Sequence, residues 1–229
     1  MNQLDTTSRA LQSAGMSDTA IHLRVIEILE SRGIQAPVVL DVGCGKADFL
    51  ASLQSRAVFA AGRCIGLDAI KHSGFNLGIE FIQADLDQGE LPVEASSSDL
   101  TVAIEVIEHL ENPRAFMREL VRVTRPGGWL AVTTPNQLSL LSKLTLLFKN
   151  QFNAFQGTNY PAHLTALLEI DLRRIASECG LSHCEILHSE KGRILFTANH
   201  YPRALSRRLP RACSDNVILV AQKPLRPLT

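Results

Sequence analysis

The sequence has no excess charge of either sign. Its 229 residues include 23 lysines and arginines and 23 aspartates and glutamates, so the formal net charge at pH 7 is zero. Because proteins that bind nucleic acid usually carry a basic excess or stripe, this balance disfavours nucleic acid as a partner. One basic cluster lies near the C-terminus. We interpret it as a solvated or acid-paired loop, with an anionic substrate as the alternative; it consists of Arg203, Arg207, Arg208 and Arg211.

Paired metal-binding cysteines, a secretion signal and a long apolar run are also absent. The five cysteines lack the Cys-x-x-Cys spacing of a zinc site. Residues 1–7 lack the basic and apolar regions of a signal peptide, and no uninterrupted apolar run is long enough to span a bilayer. We therefore expect reduced thiols, a cytoplasmic location and no transmembrane segment.

The run of residues 38–50 joins a buried apolar strand to a helix through a loop that contains two glycines. Gly43 and Gly45 permit a tight turn and close approach of the backbone to a ligand. The Asp41 carboxylate before this turn would repel a pyrophosphate, but it suits a ligand with an ammonium and a sulfonium group. A dinucleotide-binding dehydrogenase would have a further glycine at position 48, which here is Asp48.

Acidic residues also end the next two predicted strands. Residues 64–68 indicate a short buried strand that ends in Asp68, about 20 residues beyond the glycine loop, where a carboxylate suits the two ribose hydroxyls of a bound nucleoside. Residues 81–86 indicate a third strand, which includes Asp85 and Leu86. Residues 99–104 form a fourth predicted strand, and its carboxyl end leads into one predicted helical turn with Glu105, Glu108 and His109.

These motifs resemble, in order, those of the class I S-adenosylmethionine-dependent methyltransferases. Residues 41–45 (Asp-Val-Gly-Cys-Gly) are similar to the first motif, and residues 99–136 are similar to the family pattern of strand, helix, Lys/Arg-Pro-Gly-Gly, strand and Thr-Pro-Asn. The resemblance implies S-adenosylmethionine as cofactor. It implies that Asp85 and Leu86 lie against the adenine, and it gives the full set of cofactor-binding candidates as Asp41, Gly43, Cys44, Gly45, Asp68, Ala69, Asp85, Leu86 and Glu105. We interpret Cys44 as a compact apolar wall rather than a nucleophile.

The resemblance also implies the architecture: an α/β fold with a doubly wound, Rossmann-like, seven-stranded sheet and an antiparallel terminal strand. We predict a single methyltransferase domain over residues 1–229. A helix capped near Asp18 makes residues 1–33 a helical cover, and residues 1–16 are expected to fold over the cofactor. Residues 164–179 indicate an amphipathic helix, and residues 184–188 and 216–221 indicate two final strands that pair antiparallel.

Residues 137–163 are predicted to form an insertion that closes on the substrate. Its apolar side chains recur at helical spacing, and Phe152, Phe155 and Tyr160 add aromatic walls. The default interpretation is a packed helix, a substrate lid comes next, and a dimer contact is open. A membrane-surface role is the least favoured, because Lys143 and Lys149 are the only basic anchors. The helical stripe consists of Leu140, Leu141, Leu144, Leu147 and Phe148.

We predict an O-methyltransferase that acts on a small or medium-sized acceptor. The closest likeness is to the group that contains ubiquinone-biosynthesis O-methyltransferases and small-RNA 2′-O-methyltransferases, which share Glu-x-x-Glu-His after the fourth strand. His109 and His163 are the catalytic candidates. One alternative is metal assistance by Mg²⁺ or Mn²⁺; others are a nicotinamide-dependent oxidoreductase and a regulatory protein that only binds the cofactor. The metal-ligand candidates are Glu105, Glu108, His109 and His163.

Overall fold

The structure is a computed structural model that describes residue 15 and residues 17–226, except residues 58, 60, 61, 77 and 196. The predicted cover by residues 1–16 therefore lies outside the described residues, apart from Gly15. The amide nitrogen of Lys46 donates a hydrogen bond to the carbonyl oxygen of Gly15, so the chain at residue 15 lies against the glycine loop.

Seven strands form one mixed sheet in the order β3-β2-β1-β4-β5-β7-β6. Strands β1 to β5 pair in parallel, and β7 lies between β5 and β6 and is antiparallel to both. This topology confirms the predicted seven-stranded sheet with an antiparallel terminal strand. The strands are β1 Val38–Val42, β2 Arg63–Asp68, β3 Glu80–Gln83, β4 Ser98–Ile104, β5 Thr124–Pro135, β6 Ser182–His188 and β7 Asn216–Gln222.

Helices cover both faces of this sheet. The predicted cap is confirmed, because the Asp18 carboxylate accepts a hydrogen bond of 2.9 Å from the amide nitrogen of Ala20 at the start of the first helix. The Asn112 side chain caps the third helix in the same way. The helices are α1 Thr19–Ser31, α2 Asp48–Gln54, α3 Pro113–Val123, α4 Leu140–Lys149, α5 Glu169–Glu178 and α6 Arg203–Arg208.

Successive residues of the central strands pack into two different apolar layers. Val39 of β1 belongs to the layer that contains α1 and α2, whereas its neighbour Leu40 belongs to the layer that contains α3 and α5. This alternation is the period of two that a strand imposes, and it explains why near-continuous apolar runs fill a sheet that is covered on both faces. Within the described part of the chain, no helix has the length and apolar character needed to cross a membrane.

Two predicted boundaries are wrong. Strand β3 ends at Gln83, so Asp85 and Leu86 follow the strand instead of ending it. The helix predicted from residue 164 begins at Glu169. The amide nitrogens of residues 164 and 165 both donate to the carbonyl oxygen of Glu108, at 2.9 and 3.0 Å, which keeps this part of the chain out of the helix.

Candidate active site

The loop after β1 requires glycine at two positions. Gly43 and Gly45 have φ angles of 81° and 53°, which L side chains rarely adopt. A Cβ atom on Gly43 would lie 2.3 Å from Cγ2 of Val106, and one on Gly45 would lie 2.3 Å from the carbonyl oxygen of Gly15. Ala47 also adopts a left-handed conformation, with a φ of 65°, although alanine lacks the conformational freedom of glycine. The loop therefore has a tightly constrained shape.

Two buried carboxylates meet this loop from the ends of neighbouring strands. Oδ2 of Asp68 accepts a hydrogen bond of 2.8 Å from the amide nitrogen of Gly45, and Oδ1 accepts one of 2.7 Å from that of Ala69. Burial raises the pKa of Asp41 to about 8, and the negative charge of nearby Asp68 adds to this shift. An ionised pair of carboxylates in this position favours a cationic ligand that also offers hydroxyl donors.

A cavity beside the loop includes two residues that the sequence analysis missed, His22 and Asp48. His22 is buried, its Nε2 shares a hydrogen bond with the Ser17 hydroxyl, and its Nδ1 has no described hydrogen-bond partner. His22 lies three residues before Val25, on the apolar face of α1. This helical spacing could have predicted from the sequence that His22 is buried. The predicted residues that line the same cavity are Asp41, Gly43 and Cys44.

Cys44 is buried within this loop. A Cβ atom on Gly66 of the neighbouring strand would lie 2.7 Å from the Cys44 sulfur, so the thiol fills the space above a residue with no side chain. Burial raises the pKa of the thiol above its ordinary value. A protonated, buried thiol is a poor nucleophile, which agrees with the interpretation of Cys44 as a compact wall; all five cysteines are free.

The segment after β3 forms a turn. Oδ1 of Asp85 accepts a hydrogen bond of 3.0 Å from the amide nitrogen of Asp87, and the Asp87 carboxylate in turn accepts one of 2.9 Å from the amide nitrogen of Glu111. The side chain of Gln83 donates to the carbonyl oxygen of Ala69 at 2.9 Å, which ties the end of β3 to the end of β2. The predicted contact of Asp85 and Leu86 with adenine stays a prediction.

A second cavity, of about 320 Å³, lies where the ends of β4, β5 and β7 meet the 137–163 segment. Among the described residues that line it, only Ile21, Pro135 and Ala154 are apolar. A cavity with so many amide, hydroxyl and charged groups suits a polar ligand, since an apolar ligand would leave these groups unpaired. The polar side chains most relevant to chemistry in its wall are Glu105, Asn216, Ser142, Asn159 and His163.

Glu105 lies in the wall of this polar cavity. Its φ is 55°, its amide nitrogen donates to the Thr133 hydroxyl at 2.9 Å, and its Oε1 accepts a 2.6 Å hydrogen bond from Nδ2 of Asn216. Burial and, to a smaller extent, the charge of Glu108 together raise the pKa of Glu105 to about 7. The predicted helical turn is a short 3-10 turn over Ile107–His109 that excludes Glu105. The contact of Glu105 with the cofactor stays a prediction.

Three of the four predicted metal-ligand candidates come together, and Glu105 does not join them. Candidate ligand atoms of Glu108, His109 and His163 lie within 4.8 Å of one another. The expectation that all four would form one set is wrong, because the positive φ of Glu105 and its hydrogen bond with Asn216 hold its carboxylate elsewhere.

The two histidines of this cluster have defined hydrogen-bonding roles. Nδ1 of His109 lies 2.7 Å from the carbonyl oxygen of Ala162, and since a carbonyl only accepts, Nδ1 carries the proton and the neutral ring keeps its lone pair on Nε2. The rings of His109 and His163 meet edge to face at 4.8 Å. Burial and, to a smaller extent, the neighbouring His109 together lower the pKa of His163 to about 4. His163 is therefore neutral near pH 7.

Several buried polar atoms of this cluster have no described hydrogen-bond partner. They are both carboxylate oxygens of Glu108 and Nδ1 of His163, although weaker hydrogen-bonding contacts with Thr134 and with the backbone of Ala154 act on the pKa values of Glu108 and His163, respectively. Burial raises the pKa of Glu108 to about 8. Because buried polar atoms are rarely left unpaired, such a group suits a ligand, a water or an ion.

Helix α4 does not pack in the predicted way. Its buried residue is Ser142, whereas 74% of Leu147 and 77% of Phe148 are exposed. The predicted packed apolar stripe is therefore wrong, and the cavity is lined instead by polar residues of the same segment. Tyr160 is also exposed, whereas the Phe155 ring packs 5.4 Å from the His163 ring.

The C-terminal basic cluster is largely acid-paired, as predicted. Arg203 contacts Glu27 at 3.0 Å, Arg207 contacts Glu190 at 2.9 Å, and Arg211 contacts Glu169 at 2.7 Å. Glu27 and Glu190 also pair with Arg24, and Arg208 has no ion pair with a described residue, so the pairing of the cluster is incomplete.

Comparison with known proteins gives a consistent result. The methyltransferase domain family matches residues 40–132. A probable S-adenosylmethionine-dependent methyltransferase of Mycolicibacterium smegmatis is 32% identical over 63% of this chain and 55% of its own length. A ubiquinone biosynthesis O-methyltransferase of Psychrobacter cryohalolentis is 25% identical over 84% of this chain and 74% of its own length.

The fold is similar to that of a SAM-dependent methyltransferase from Archaeoglobus fulgidus, with a TM-score of 0.63 and 16% identity over 88% of this chain and 94% of the other. The chain spans between 36% and 55% of the length of the first relatives that it matches in sequence.

Proposed function

We propose that this chain is a class I S-adenosylmethionine-dependent methyltransferase and that it transfers a methyl group to a hydroxyl oxygen of a small polar acceptor. The observation that carries the proposal is the polar cavity beside Glu105 and His163, at the carboxyl ends of β4 and β5. Open α/β sheets bind their ligands at these strand ends. The resemblance to an O-methyltransferase supports oxygen as the acceptor atom.

The glycine loop and its two carboxylates would hold the cofactor. Asp68 accepts two backbone hydrogen bonds, and a carboxylate has about four lone-pair sites, so it retains capacity for ribose hydroxyls. With a pKa of about 8, Asp41 is mostly protonated near pH 7 in the ligand-free chain; the cationic methionine end of a bound cofactor would favour its ionised form and would then be attracted to it. The absence of a glycine at position 48 disfavours a nicotinamide-dependent oxidoreductase.

In the proposed reaction the acceptor oxygen attacks the methyl carbon in line with the departing sulfur. The carbon–sulfur bond breaks, its electron pair stays on sulfur, and the hydroxyl proton goes to a base. We assign the base role to Nε2 of His109, because the hydrogen bond to Ala162 fixes the tautomer that leaves this nitrogen as the acceptor. His163 is a poor base, since its pKa of about 4 is too low, and it would instead orient the hydroxyl.

The test is labelling of a cell extract with S-adenosylmethionine that carries a tritiated methyl group, followed by identification of the methylated product. The proposal expects a polar metabolite with a new methyl ether. The matched variant is His109→Asn, because the asparagine amide can keep the hydrogen bond to the Ala162 carbonyl while Nε2 is lost. We expect this variant to bind the cofactor normally and to lose turnover by at least about 100-fold.

A label on nitrogen or carbon would contradict oxygen as the acceptor atom. Equilibrium dialysis against S-adenosylmethionine and NAD separates a methyltransferase from an oxidoreductase. Cofactor binding with no labelled product in any extract would instead support a regulatory protein that only binds the cofactor.

Metal assistance is a second candidate, and the unpaired atoms of Glu108 and His163 favour it. One carboxylate and two imidazoles fit Mn²⁺ better than Mg²⁺, which prefers oxygen ligands. His109 donates its other ring nitrogen to a backbone carbonyl, an arrangement typical of metal-ligating histidines. A bound divalent cation would lower the pKa of an acceptor hydroxyl.

Chelation distinguishes the two mechanisms, because His109 cannot be both a metal ligand and the base. Full turnover after exhaustive chelation contradicts the metal mechanism. Loss of turnover that Mn²⁺ restores supports it, and calorimetry should then show Mn²⁺ binding that the variant His163→Ala abolishes.

A further inference from the structure

Helix α4 buries a polar residue and exposes large apolar residues, which is the reverse of the usual arrangement. Ser142 is buried against the fold and lines the polar cavity together with Ser139, the residue that caps the helix. The helical positions opposite Ser142 hold Leu140, Leu144 and Leu147. Surface helices of globular proteins normally place the apolar stripe inward, so this outward stripe lacks its covering partner.

The exposed side chains extend beyond one turn. Leu140, Leu146, Leu147, Phe148 and Tyr160 are all exposed, and Leu147 and Phe148 keep about three quarters of their surface in solvent. Scattered single leucines need no explanation, but five exposed large apolar side chains within one helix and the loop that follows it exceed scattered exposure. We call these five residues the α4 patch.

The charged side chains in the chain segment around α4 are all basic, although Asp18 and Asp215 from other segments line the cavity beneath the helix. Residues 120–168 contain no aspartate or glutamate, whereas Lys143 and Lys149 lie on α4 itself and are both exposed. Neither lysine forms an ion pair with a described residue; Lys149 donates to the neutral side chain of Gln156 at 3.0 Å. The surface is therefore apolar with unneutralised positive charge.

We propose that the α4 patch docks on the surface of an anionic lipid bilayer, with its apolar side chains at the headgroup boundary and its lysines at the anionic headgroups. Interfacial helices combine these two features, namely large apolar side chains on one face and lysines that remain within reach of the lipid phosphates. The sequence pattern ranked this role below a packed helix. The structure favours this role over a fully packed stripe, because Leu140, Leu147 and Phe148 of the stripe are exposed, whereas Leu141 and Leu144 are half-buried.

A second copy of this chain fits the α4 patch less well. Lys143 lies near the middle of the ten-residue helix, so an antiparallel two-fold pairing of α4 helices would bring two Lys143 side chains together with no acidic residue in the segment to neutralise them. The helix is also only about 15 Å long. One face of such a helix is far smaller than the roughly 800 Å² per partner of a stable interface.

Docking would place the polar cavity close to the bilayer, because Ser139 and Ser142 of the same helix line that cavity. An acceptor with a polar group at a lipid surface could then reach the cavity without leaving the membrane interface. The proposal concerns the outer face of α4 and holds or fails independently of the methyl acceptor.

Vesicle flotation tests the proposal. The wild-type chain is mixed with vesicles of phosphatidylglycerol and phosphatidylcholine, or of phosphatidylcholine alone, and the bound fraction is measured at low salt and at 1 M salt. We expect binding to the anionic vesicles that 1 M salt weakens, since salt at this concentration shortens the Debye length to about 3 Å. The double variant Leu147→Glu, Phe148→Glu should lower the bound fraction at least about 10-fold.

The matched control is Leu225→Glu. Leu225 is 79% exposed and lies beside Gly127 near the start of β5, whereas α4 follows the end of that strand. The control variant should float like the wild type. Lys143→Glu should weaken anionic binding and leave the weak binding to neutral vesicles unchanged. Unaltered thermal unfolding and cofactor affinity would show that the α4 variants remain folded.

Four results would overturn the proposal. The wild-type chain could fail to float with anionic vesicles, or the double variant could float as well as the wild type. Light scattering could also show a dimer that the double variant dissociates, in which case a second copy covers the α4 patch. Equal binding to neutral and anionic vesicles would overturn the assignment of anionic lipid.

Discussion

The amide nitrogen of Gly45 donates a 2.8 Å hydrogen bond to Oδ2 of Asp68, which ties the glycine loop after β1 to the end of β2. The same carboxylate accepts from the amide nitrogen of Ala69 at 2.7 Å. Asp68 therefore holds the loop in shape as well as facing the predicted ribose position. Its loss should affect both ligand binding and stability.

We expect Asp68→Ala to weaken S-adenosylmethionine binding by about 10- to 100-fold, which corresponds to about 1.5–3 kcal/mol for hydrogen bonds to a charged group. Calorimetry measures this change. Because two buried amides lose their acceptor, the melting temperature should also fall. The variant Asp68→Asn keeps one acceptor oxygen and should be intermediate. Unchanged affinity in a folded Asp68→Ala protein would contradict the assigned cofactor site.

Gly43→Ala should abolish measurable cofactor binding or destabilise the fold. The new Cβ would lie 2.3 Å from Cγ2 of Val106, a contact that the fold must relieve by moving the loop. Gly74→Ala is the matched control, because Gly74 has a similar φ of 83° but nothing lies within 4 Å of its added Cβ. Comparison of the two variants therefore separates the effect of backbone strain, which both share, from the effect of steric overlap, which only Gly43→Ala has.

The addition of Val106→Ala to Gly43→Ala should restore part of the affinity, since the overlapping methyl group is removed. Equal effects of Gly43→Ala and Gly74→Ala on melting temperature and affinity would show that the overlap does not matter.

Asp41 should make stability fall as the pH rises. Its pKa in the folded chain is about 8, well above the ordinary value of 3.8, so between these pH values the folded state binds more protons than the unfolded state. The free energy of unfolding therefore decreases from about pH 4 to pH 8 through this group. Urea titrations at several pH values should show that Asp41→Asn removes this part of the slope.

The contribution of Asp41 to cofactor affinity should increase as the pH rises, whereas its contribution to stability decreases. The ionised carboxylate attracts the sulfonium group, so the affinity lost in Asp41→Asn should grow as the pH rises towards 8. The titration of the cofactor's own amino group is common to both proteins and cancels in the comparison. A difference in affinity that does not change with pH would contradict this role.

His163 should make the fold sensitive to acid. Its pKa is about 4 in the folded chain, whereas the ordinary value of 6.5 applies in the unfolded chain. Between these pH values the unfolded state therefore binds more protons than the folded state. The free energy of unfolding should fall as the pH drops from about 6.5 to 4, and His163→Gln should reduce this fall. Burial also lowers the pKa of His22 and His188, so part of the slope should remain. Identical acid profiles would contradict the burial of a neutral His163.

Local sequence patterns were sufficient for the strands and for the glycine loop. Strand β4 is buried at every position, and its apolar run required no distant contact to be recognised. Asp18 was recognised as a helix cap because capping depends on the next two or three residues. The ordered motifs over residues 38–136 likewise led to the methyltransferase family, because each motif is a short strand end or turn.

The tertiary structure alone decided the features that join distant parts of the chain. The 164–168 segment leaves the predicted helix because two of its amides bind the Glu108 carbonyl. Glu105 binds the side chain of Asn216, 111 residues further along the chain, and does not join the cluster of Glu108, His109 and His163. Helical periodicity showed that α4 has an apolar stripe, but it could not show which face the fold would cover. That choice depends on the polar cavity beneath Ser142, which exists only when β4, β5 and β7 come together.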